Sequence, residues 1–362
     1  MKTAAIENAP TRSSSALPWV IKLALGGAVA AAAYYSTQQR RRINFAGATV
    51  LISGGSRGLG LELARVFADE GAHLVLLARD QDALLRTAEE LRGRGARVVT
   101  QVCDIRDPRQ VRQSLATILD EVRHIDVLVN NAGAIQVGPL ENMDLGDFES
   151  AMNVHFWGPL YLMQEIIPRM KARGGGRIVN IASIGGKVAL PHLLPYAASK
   201  FALVGLSEGM RAELVKDGIY VTTICPGLMR TGSHLNAFFK GQHKKEFALF
   251  ALANASPVLS IASARAARQI VEACRYGKAE LTLSPQARLL RLVNGLFPAL
   301  TSEALACVSR FLPHPLPSGN DLKNGWESRS RLAPTLLTRF SDRAAQRNNE
   351  GRKLNGAGTP QP

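Results

Sequence analysis

From residue 43 onward, short β-rich runs alternate with longer amphipathic stretches, and no other feature of the sequence constrains the fold as strongly. The runs ATVLIS, AHLVLLA, ARVVTQV, IDVLVN, RIVNIA, IYVTTIC and ELTLS end at Ser53, Ala78, Val102, Asn130, Ala182, Cys225 and Ser284. Between them, LGLELARVFADEG, DALLRTAEELRGRG and PRQVRQSLATILDEV carry apolar residues at helical spacing. Strands separated by helices cannot pair as tight hairpins, so they assemble as a parallel sheet covered on both faces. The spacing predicts one α/β domain over residues 43–284, a doubly wound parallel sheet of about seven strands.

The rest of the chain divides by composition. Residues 1–16 are Ser/Ala/Thr-rich and read as disordered. Residues 17–35, LPWVIKLALGGAVAAAAYY, are almost entirely apolar and about long enough for a membrane anchor. Trp19, Tyr34 and Tyr35 suit its two interfaces, and Lys22 can snorkel. A cleaved signal or a soluble apolar helix uses the same composition. Arg40, Arg41 and Arg42 directly after the segment favour a membrane-associated protein whose following domain faces the cytoplasm. Residues 285–313 read as a helical extension broken at Pro298, packed on the domain or on a membrane surface. Residues 314–362 are polar and aperiodic, and read as a disordered basic tail.

With 46% hydrophobic and 20% charged residues, the chain is not disordered as a whole. Its 44 Lys+Arg against 29 Asp+Glu give a net charge of +15, but the cations are scattered and no zinc-finger or aromatic-basic RNA pattern accompanies them. Nucleic acid is therefore not expected as a partner; membrane-surface attraction is the better use of the charge. Cys103, Cys225, Cys274 and Cys307 lie far apart, without a C-x-x-C pair, and read as reduced apolar residues with no metal site.

The first strand runs directly into Ser53-Gly54-Gly55-Ser56-Arg57-Gly58-Leu59-Gly60 and then into a helix. Glycines there permit a tight turn and close approach of backbone N–H groups to a diphosphate, which the helix N-terminus also favours; the fold is then of Rossmann type. An acidic residue at the end of the second strand would bind the ribose hydroxyls of NAD. This chain places Ala78 and Arg79 there, with Arg57 as a second cation, a pattern that favours NADP(H). Asp80, one or two residues late, is the feature that could reverse that preference.

Tyr196-Ala197-Ala198-Ser199-Lys200 opens a helical run, so Tyr196 and Lys200 share a face one turn apart. An ammonium there can lower the phenol's pKa and make it a usable acid/base. Ser183 follows the strand RIVNIA, Asn130 to Gly133 follow IDVLVN, and Asn153 lies in a helical stretch between them. Any one of these could be a cap or a turn residue; their order on this strand pattern is what is informative.

With these residues in place, the chain resembles the short-chain dehydrogenase/reductase family, single-domain type, over roughly residues 45–284. The resemblance rests on SGGSRGLG at 53–60, Asp104, NNAG at 130–133, Asn153, Ser183, YAASK at 196–200, and Pro226-Gly227 followed by Thr231. Ser53 stands where the family more often has Thr. The resemblance implies Asn153, Ser183, Tyr196 and Lys200 as catalytic residues. Tyr196 would exchange the proton, Ser183 would bond the substrate oxygen, Lys200 would hold the ribose and tune Tyr196, and Asn153 would support a water linking Lys200 to solvent. It further implies that the cofactor lies along Ser53, Gly54, Ser56, Arg57, Gly58, Leu59 and Gly60, near Arg79 and Asp104. Asn131, Ala132, Gly133, Tyr196, Lys200, Pro226, Gly227 and Thr231 would complete its contacts.

The expected activity is interconversion of a carbonyl and an alcohol by an NADP(H)-dependent oxidoreductase that could also be a homo-oligomer. After Pro226-Gly227, Phe238, Phe239, Phe247 and Phe250, with Lys240, Lys244 and Lys245 between them, could rim a pocket for a lipophilic substrate; ordinary helix packing accounts for them as well. Two rival readings are a catalytically silent, membrane-tethered protein that senses NADP(H) or binds a partner, and an NAD-dependent alcohol dehydrogenase of the same family.

Overall fold

In a computed structural model of the chain, residues 17–256, 260–329 and 339–350 are described. The expected disordered start, residues 1–16, lies outside them, as do residues 330–338 and 351–362 of the tail. The chain divides into two compact units, residues 1–42 and residues 43–362. The described part of the first is built on the helix Leu17–Arg40, with Ile21, Leu25, Val29, Tyr34 and Tyr35 exposed. Among the described residues no single helix is long and apolar enough to cross a membrane; helices Pro285–Leu296 and Pro298–Ser309 are so only as a pair, bent by 119°.

In the second unit, seven described strands form one parallel sheet: β1 (Thr49–Ser53), β2 (His73–Ala78), β3 (Val98–Val102), β4 (Val127–Asn130), β5 (Gly176–Ile181), β6 (Ile219–Cys225) and β7 (Glu280–Thr282). Their order across the sheet is β7-β6-β5-β4-β1-β2-β3. Val50 of β1 stands opposite Leu74 of β2 on one side and Val127 of β4 on the other. The sheet is thus doubly wound, as the alternation of strands and helices predicts. Its direction of winding reverses between β1 and β4, where a ligand crevice opens beyond the carboxyl ends of the strands.

Alternate residues of each strand feed two core layers, because strand side chains alternate between faces. Val50, Ile52, Leu74, Leu76, Val127 and Val129 pack with Leu63, Phe67, Leu84 and Ile270 on one face. Leu51, Val75, Leu77, Leu128 and Ile178 pack with Val111, Leu115, Leu162 and Ile166 on the other. Both faces being covered, every residue of β1 and β4 is buried. The helices start at built-in caps: Asp107 accepts from the N–H groups of Arg109 and Gln110 ahead of Pro108, and Asp144 and Asp147 form a reciprocal capping box. Cys103, Cys225 and Cys274 are buried free thiols, whereas Cys307 is exposed.

Two sequence expectations change here. The phenylalanines after Pro226-Gly227 are not a pocket rim: Phe239 and Phe247 are buried edge-to-face, with Phe250 packed against them. Lys240, expected on that rim, is also buried and paired with Asp144 and Asp147 at 2.9 and 2.7 Å. Helix His243–Ala255 turns this face inward onto the strand Phe238–Phe239, so packing, not exposure, accounts for the aromatic residues. The tail read as disordered after residue 314 is folded in its described parts. Lys323–Asn324 pairs antiparallel with Phe238–Phe239, and Arg339–Arg347 is a helix. Side-chain amides supply the partners that its own aperiodic composition lacks, as where Asn142 Nδ2 donates to the Leu316 carbonyl at 2.7 Å.

Candidate active site

The turn after β1 is shaped by sterics. Gly54 has φ +67°, and a Cβ on it would lie 2.9 Å from Ala132 Cα; a Cβ on Gly60 would lie within 2.0 Å of the Gly54 carbonyl oxygen. Only glycine therefore lets helix Gly58–Asp69 start this close to the turn. The Ser53 hydroxyl accepts from the N–H groups of Asn131 (3.1 Å) and Ala132 (3.2 Å), joining the ends of β1 and β4. The Asn131 amide donates to the carbonyls of Ser53 and Gly54, both at 3.1 Å. Ser53, Gly54, Gly60, Asn131 and Ala132 thus form one structure across the point where the sheet reverses. Such a glycine turn at a helix N-terminus fits a dinucleotide's diphosphate.

Arg57 stands at the cap of that helix, its guanidinium 3.5 Å from Asn236 Oδ1 and lowered in pKa chiefly by burial, with Glu350 acting the other way. Arg79, at the end of β2, is exposed, 4.0 Å from Asp104. Asp80, the residue that could have reversed the cofactor preference, caps the next helix by accepting from the Ala83 N–H at 2.9 Å. Asp104 is held by a two-pronged pair with Arg106; burial works against its ionisation, but the Arg106 bonds prevail and keep the carboxyl below the usual range.

Beyond β5, Ser183 caps a short helical turn and accepts from the Gly185 N–H at 3.0 Å. Helix Leu194–Leu214 presents Tyr196 to it: a Cβ on Gly185 would lie 3.3 Å from the Tyr196 ring and 3.4 Å from Ser183 Oγ. Lys200, one turn on, is buried, with Nζ 5.7 Å from the Tyr196 ring centroid and donating to the Ile181 carbonyl at 2.8 Å. The structure therefore brings Ser183, Tyr196 and Lys200 together. Burial pushes the Tyr196 phenol above its ordinary value of 10, with the Ser183 bond pulling the other way. Burial also brings Lys200 down to about 7. The expected acidification of Tyr196 by Lys200 is thus overridden by desolvation in the protein alone. Pro226 ties this region to β6 by accepting the Ile184 N–H at 2.7 Å, and a Cβ on Gly227 would meet Ser284 Oγ at 3.0 Å. Thr231 is buried, and its hydroxyl accepts from the Ser233 N–H at 3.2 Å.

Asn153, expected to support a water beside Lys200, opens a π-helical turn. Residues Asn153–Trp157 form a π-helical turn that leaves Asn153 exposed and turns His155 inward. The buried His155 ring stands edge-on to Tyr196, centroids 5.3 Å apart. Its Nε2 accepts from the Ala134 N–H at 3.2 Å, which places the proton on Nδ1, 2.8 Å from Ser199 Oγ. Ser199 in turn donates to the Tyr196 carbonyl at 2.8 Å. Burial, then the nearby Lys200, drive the imidazole's pKa well below 6.5, so it is neutral. The sequence offers only a histidine two positions beyond Asn153, and the π-helical turn that holds its ring against Tyr196 has no signature in the sequence.

A second group that the sequence did not reveal lies on the glycine turn. The Gly58 N–H donates to the Asn348 carbonyl at 2.9 Å, the Gly232 N–H donates to Glu350 Oε2 at 2.7 Å, and Asn349 Nδ2 donates to the Ser56 carbonyl at 3.4 Å.

The family profile described as short chain dehydrogenase matches residues 48–238. The chain is 38% identical over 183 residues to granaticin polyketide synthase putative ketoacyl reductase 1 of Streptomyces violaceoruber, covering 50% of this chain and 67% of that protein. The matched stretch spans about two thirds of the length of the curated relatives it matches. Among solved structures, L-sorbose reductase from Gluconobacter frateurii, complexed with NADPH and L-sorbose, is similar with a TM-score of 0.60 and 27% identity, over 67% of this chain and 97% of that one. A short-chain dehydrogenase/reductase from Burkholderia phymatum in complex with NAD shares the fold, with a TM-score of 0.65 and 24% identity over 71% and 96% of the two chains. The glycine turn, the Ser183, Tyr196 and Lys200 group, and these similarities place the chain in the short-chain dehydrogenase/reductase family of oxidoreductases that use a nicotinamide cofactor.

Proposed function

We propose that this protein is an NADP(H)-dependent oxidoreductase that interconverts a carbonyl and an alcohol on a lipophilic substrate, with Tyr196 as its acid/base. The observation that carries the reading is the Tyr196 ring, beside Ser183 and backed by the buried Lys200, at the same sheet edge as the glycine turn. Preference for NADP(H) is supported by Arg57 and Arg79 near the end of β2 and by Asp80, whose carboxylate is engaged as a helix cap.

When bound, the nicotinamide supplies or accepts the hydride. The protein's part is to orient the substrate and to handle the proton. Ser183 bonds the substrate oxygen, and Tyr196, kept protonated at neutral pH by burial, donates to it during reduction. Lys200 is charged below about pH 7, where its ammonium favours the phenolate left after the proton moves. His155 fixes the helix turn that carries Tyr196 through Ser199.

Membrane association through residues 17–35, with the catalytic unit on the cytoplasmic side, is part of the same reading. It is supported by the exposed Ile21, Leu25 and Val29 and by the cations Arg40, Arg41 and Arg42 that follow. Screening NADPH oxidation against a panel of lipophilic ketones and aldehydes, with NADH in parallel, tests the chemistry; no turnover with any of them contradicts it. Fractionation of a chain starting at Arg40 tests the attachment. Unchanged membrane association would move the contact to the bent helix pair.

A further inference from the structure

The Gly58 N–H, a donor of the glycine turn at the start of its helix, is taken by the chain's own C-terminal segment. Besides the three bonds from Gly58, Gly232 and Asn349, Asn349 Nδ2 also donates to Thr87 Oγ1 at 3.1 Å. Arg65 donates to the Asn348 side chain at 2.7 Å and to the Arg347 carbonyl at 2.8 Å, and Asn348 Nδ2 reaches Ser263 Oγ at 3.3 Å. Arg347 pairs with Glu62 on the same helix. Asn348 and Glu350 are buried, and Ala345 packs so closely that a Cβ on Gly232 would lie 2.6 Å from its Cβ. A Cβ on Gly58 would lie 2.9 Å from Glu350 Oε1, so the Glu350 side chain packs against the first residue of the helix, beside Arg57. Tail oxygens that accept the Gly58 N–H at the start of this helix and the Gly232 N–H beside it occupy positions that phosphate oxygens take at such a turn.

We propose that residues 343–350 are an intramolecular ligand of the cofactor cradle, with the Glu350 carboxyl group and the Asn348 carbonyl occupying the place of the dinucleotide diphosphate, so that tail docking and cofactor binding exclude each other. The inference rests on the reading of the turn as a nicotinamide-dinucleotide site. It makes the enzyme self-limiting: cofactor binds only the fraction of molecules whose tail is released, and apparent affinity falls by that fraction. Whatever holds the tail elsewhere, a partner protein or a surface that attracts its arginines, would switch the enzyme on.

The test compares the full chain with one ending at residue 338 and with full-length Glu350→Arg, whose new cation faces Arg57. NADPH and NADH dissociation constants are measured by fluorescence, and a synthetic peptide of residues 339–350 is added to the shortened chain. Both variants should bind cofactor about tenfold more tightly or better, the peptide should compete with NADPH, and NADPH added to the full chain should speed tryptic cleavage at Arg343 and Arg347. Equal cofactor affinities in all three chains, with no competition by the peptide, overturn the proposal and leave the oxidoreductase reading standing. If no chain binds either dinucleotide, both fall together.

Discussion

Replacing His155 by Phe isolates the role of the buried imidazole. A phenyl ring keeps the edge-on packing against Tyr196 but cannot accept the Ala134 N–H or donate to Ser199 Oγ. Leaving that N–H without an acceptor costs about 1–3 kcal/mol, and the lost Ser199 bond about 1 kcal/mol more, so the variant should be about 2–4 kcal/mol less stable in denaturant titration at pH 7.5. Ser199 holds the Tyr196 carbonyl, so a loosened Ser199 lets the phenol drift, and a misplacement of about 1 Å at a reacting group costs on the order of a hundredfold in rate. The expected signature is kcat lowered about 10- to 100-fold with the cofactor dissociation constant changed less than about twofold. The pH dependence has a definite sign. The folded-state pKa of His155 is depressed, so its contribution to stability is present above the unfolded value of 6.5 and is lost as pH falls below it. The gap in stability between parent and variant should therefore narrow between about pH 7 and pH 5. A variant matching the parent in both stability and kcat would refute the chain of bonds from Ala134 through His155 and Ser199 to Tyr196.

Arg57→Ala combined with Arg79→Ala should weaken NADPH binding more than NADH binding; equal losses would remove the basis for the cofactor assignment. Lys240→Met should destabilise the protein by about 3 kcal/mol in denaturant titration, because it leaves the buried Asp147 carboxylate without its cation. A cost below about 1 kcal/mol would contradict this and show that the Gln136 amide, which also donates to Asp147, suffices to hold the carboxylate. For the tail, burial pushes Glu350 up to about 7, against the Gly232 N–H and Arg57 and with the help of Glu62. A raised pKa in the docked state means that its contribution to docking is fully present below about 4.5 and is lost as pH rises through about 7. Cofactor affinity of the full chain should accordingly improve from pH 6 to pH 8 relative to Glu350→Gln; parallel pH profiles would contradict this.

Strand order, the glycine turn and the Tyr196–Lys200 spacing were legible because each is written in local pattern: alternation of elements, residues that only a tight turn requires, and a four-residue step on one helical face. His155 was missed because ordinary helical periodicity applied to NVHFW gives no hint of the π-helical turn that holds its buried ring against Tyr196. The aromatic rim failed for a different reason. Phe239, Phe247 and the buried Lys240 carry the composition of an amphipathic surface, yet Asp144 and Asp147, nearly a hundred residues earlier, satisfy the lysine and let the segment bury. Such pairing is non-local and invisible to composition. The tail shows the same limit: its polar, aperiodic sequence reads as disorder, but its bonding partners at Gly58, Gly232 and Ser56 are supplied by the glycine turn and the loop after β6.

The measurement that bears most directly on the account is single-turnover reduction of a reactive ketone by Tyr196→Phe, with NADPH binding followed in the same samples. Loss of the one phenolic proton donor, with Ser183 and Lys200 intact, should lower the chemical rate by about a hundredfold or more while NADPH binds within about twofold of the parent. A Tyr196→Phe protein that reduces the ketone as fast as the parent would contradict the assignment of Tyr196 as the acid.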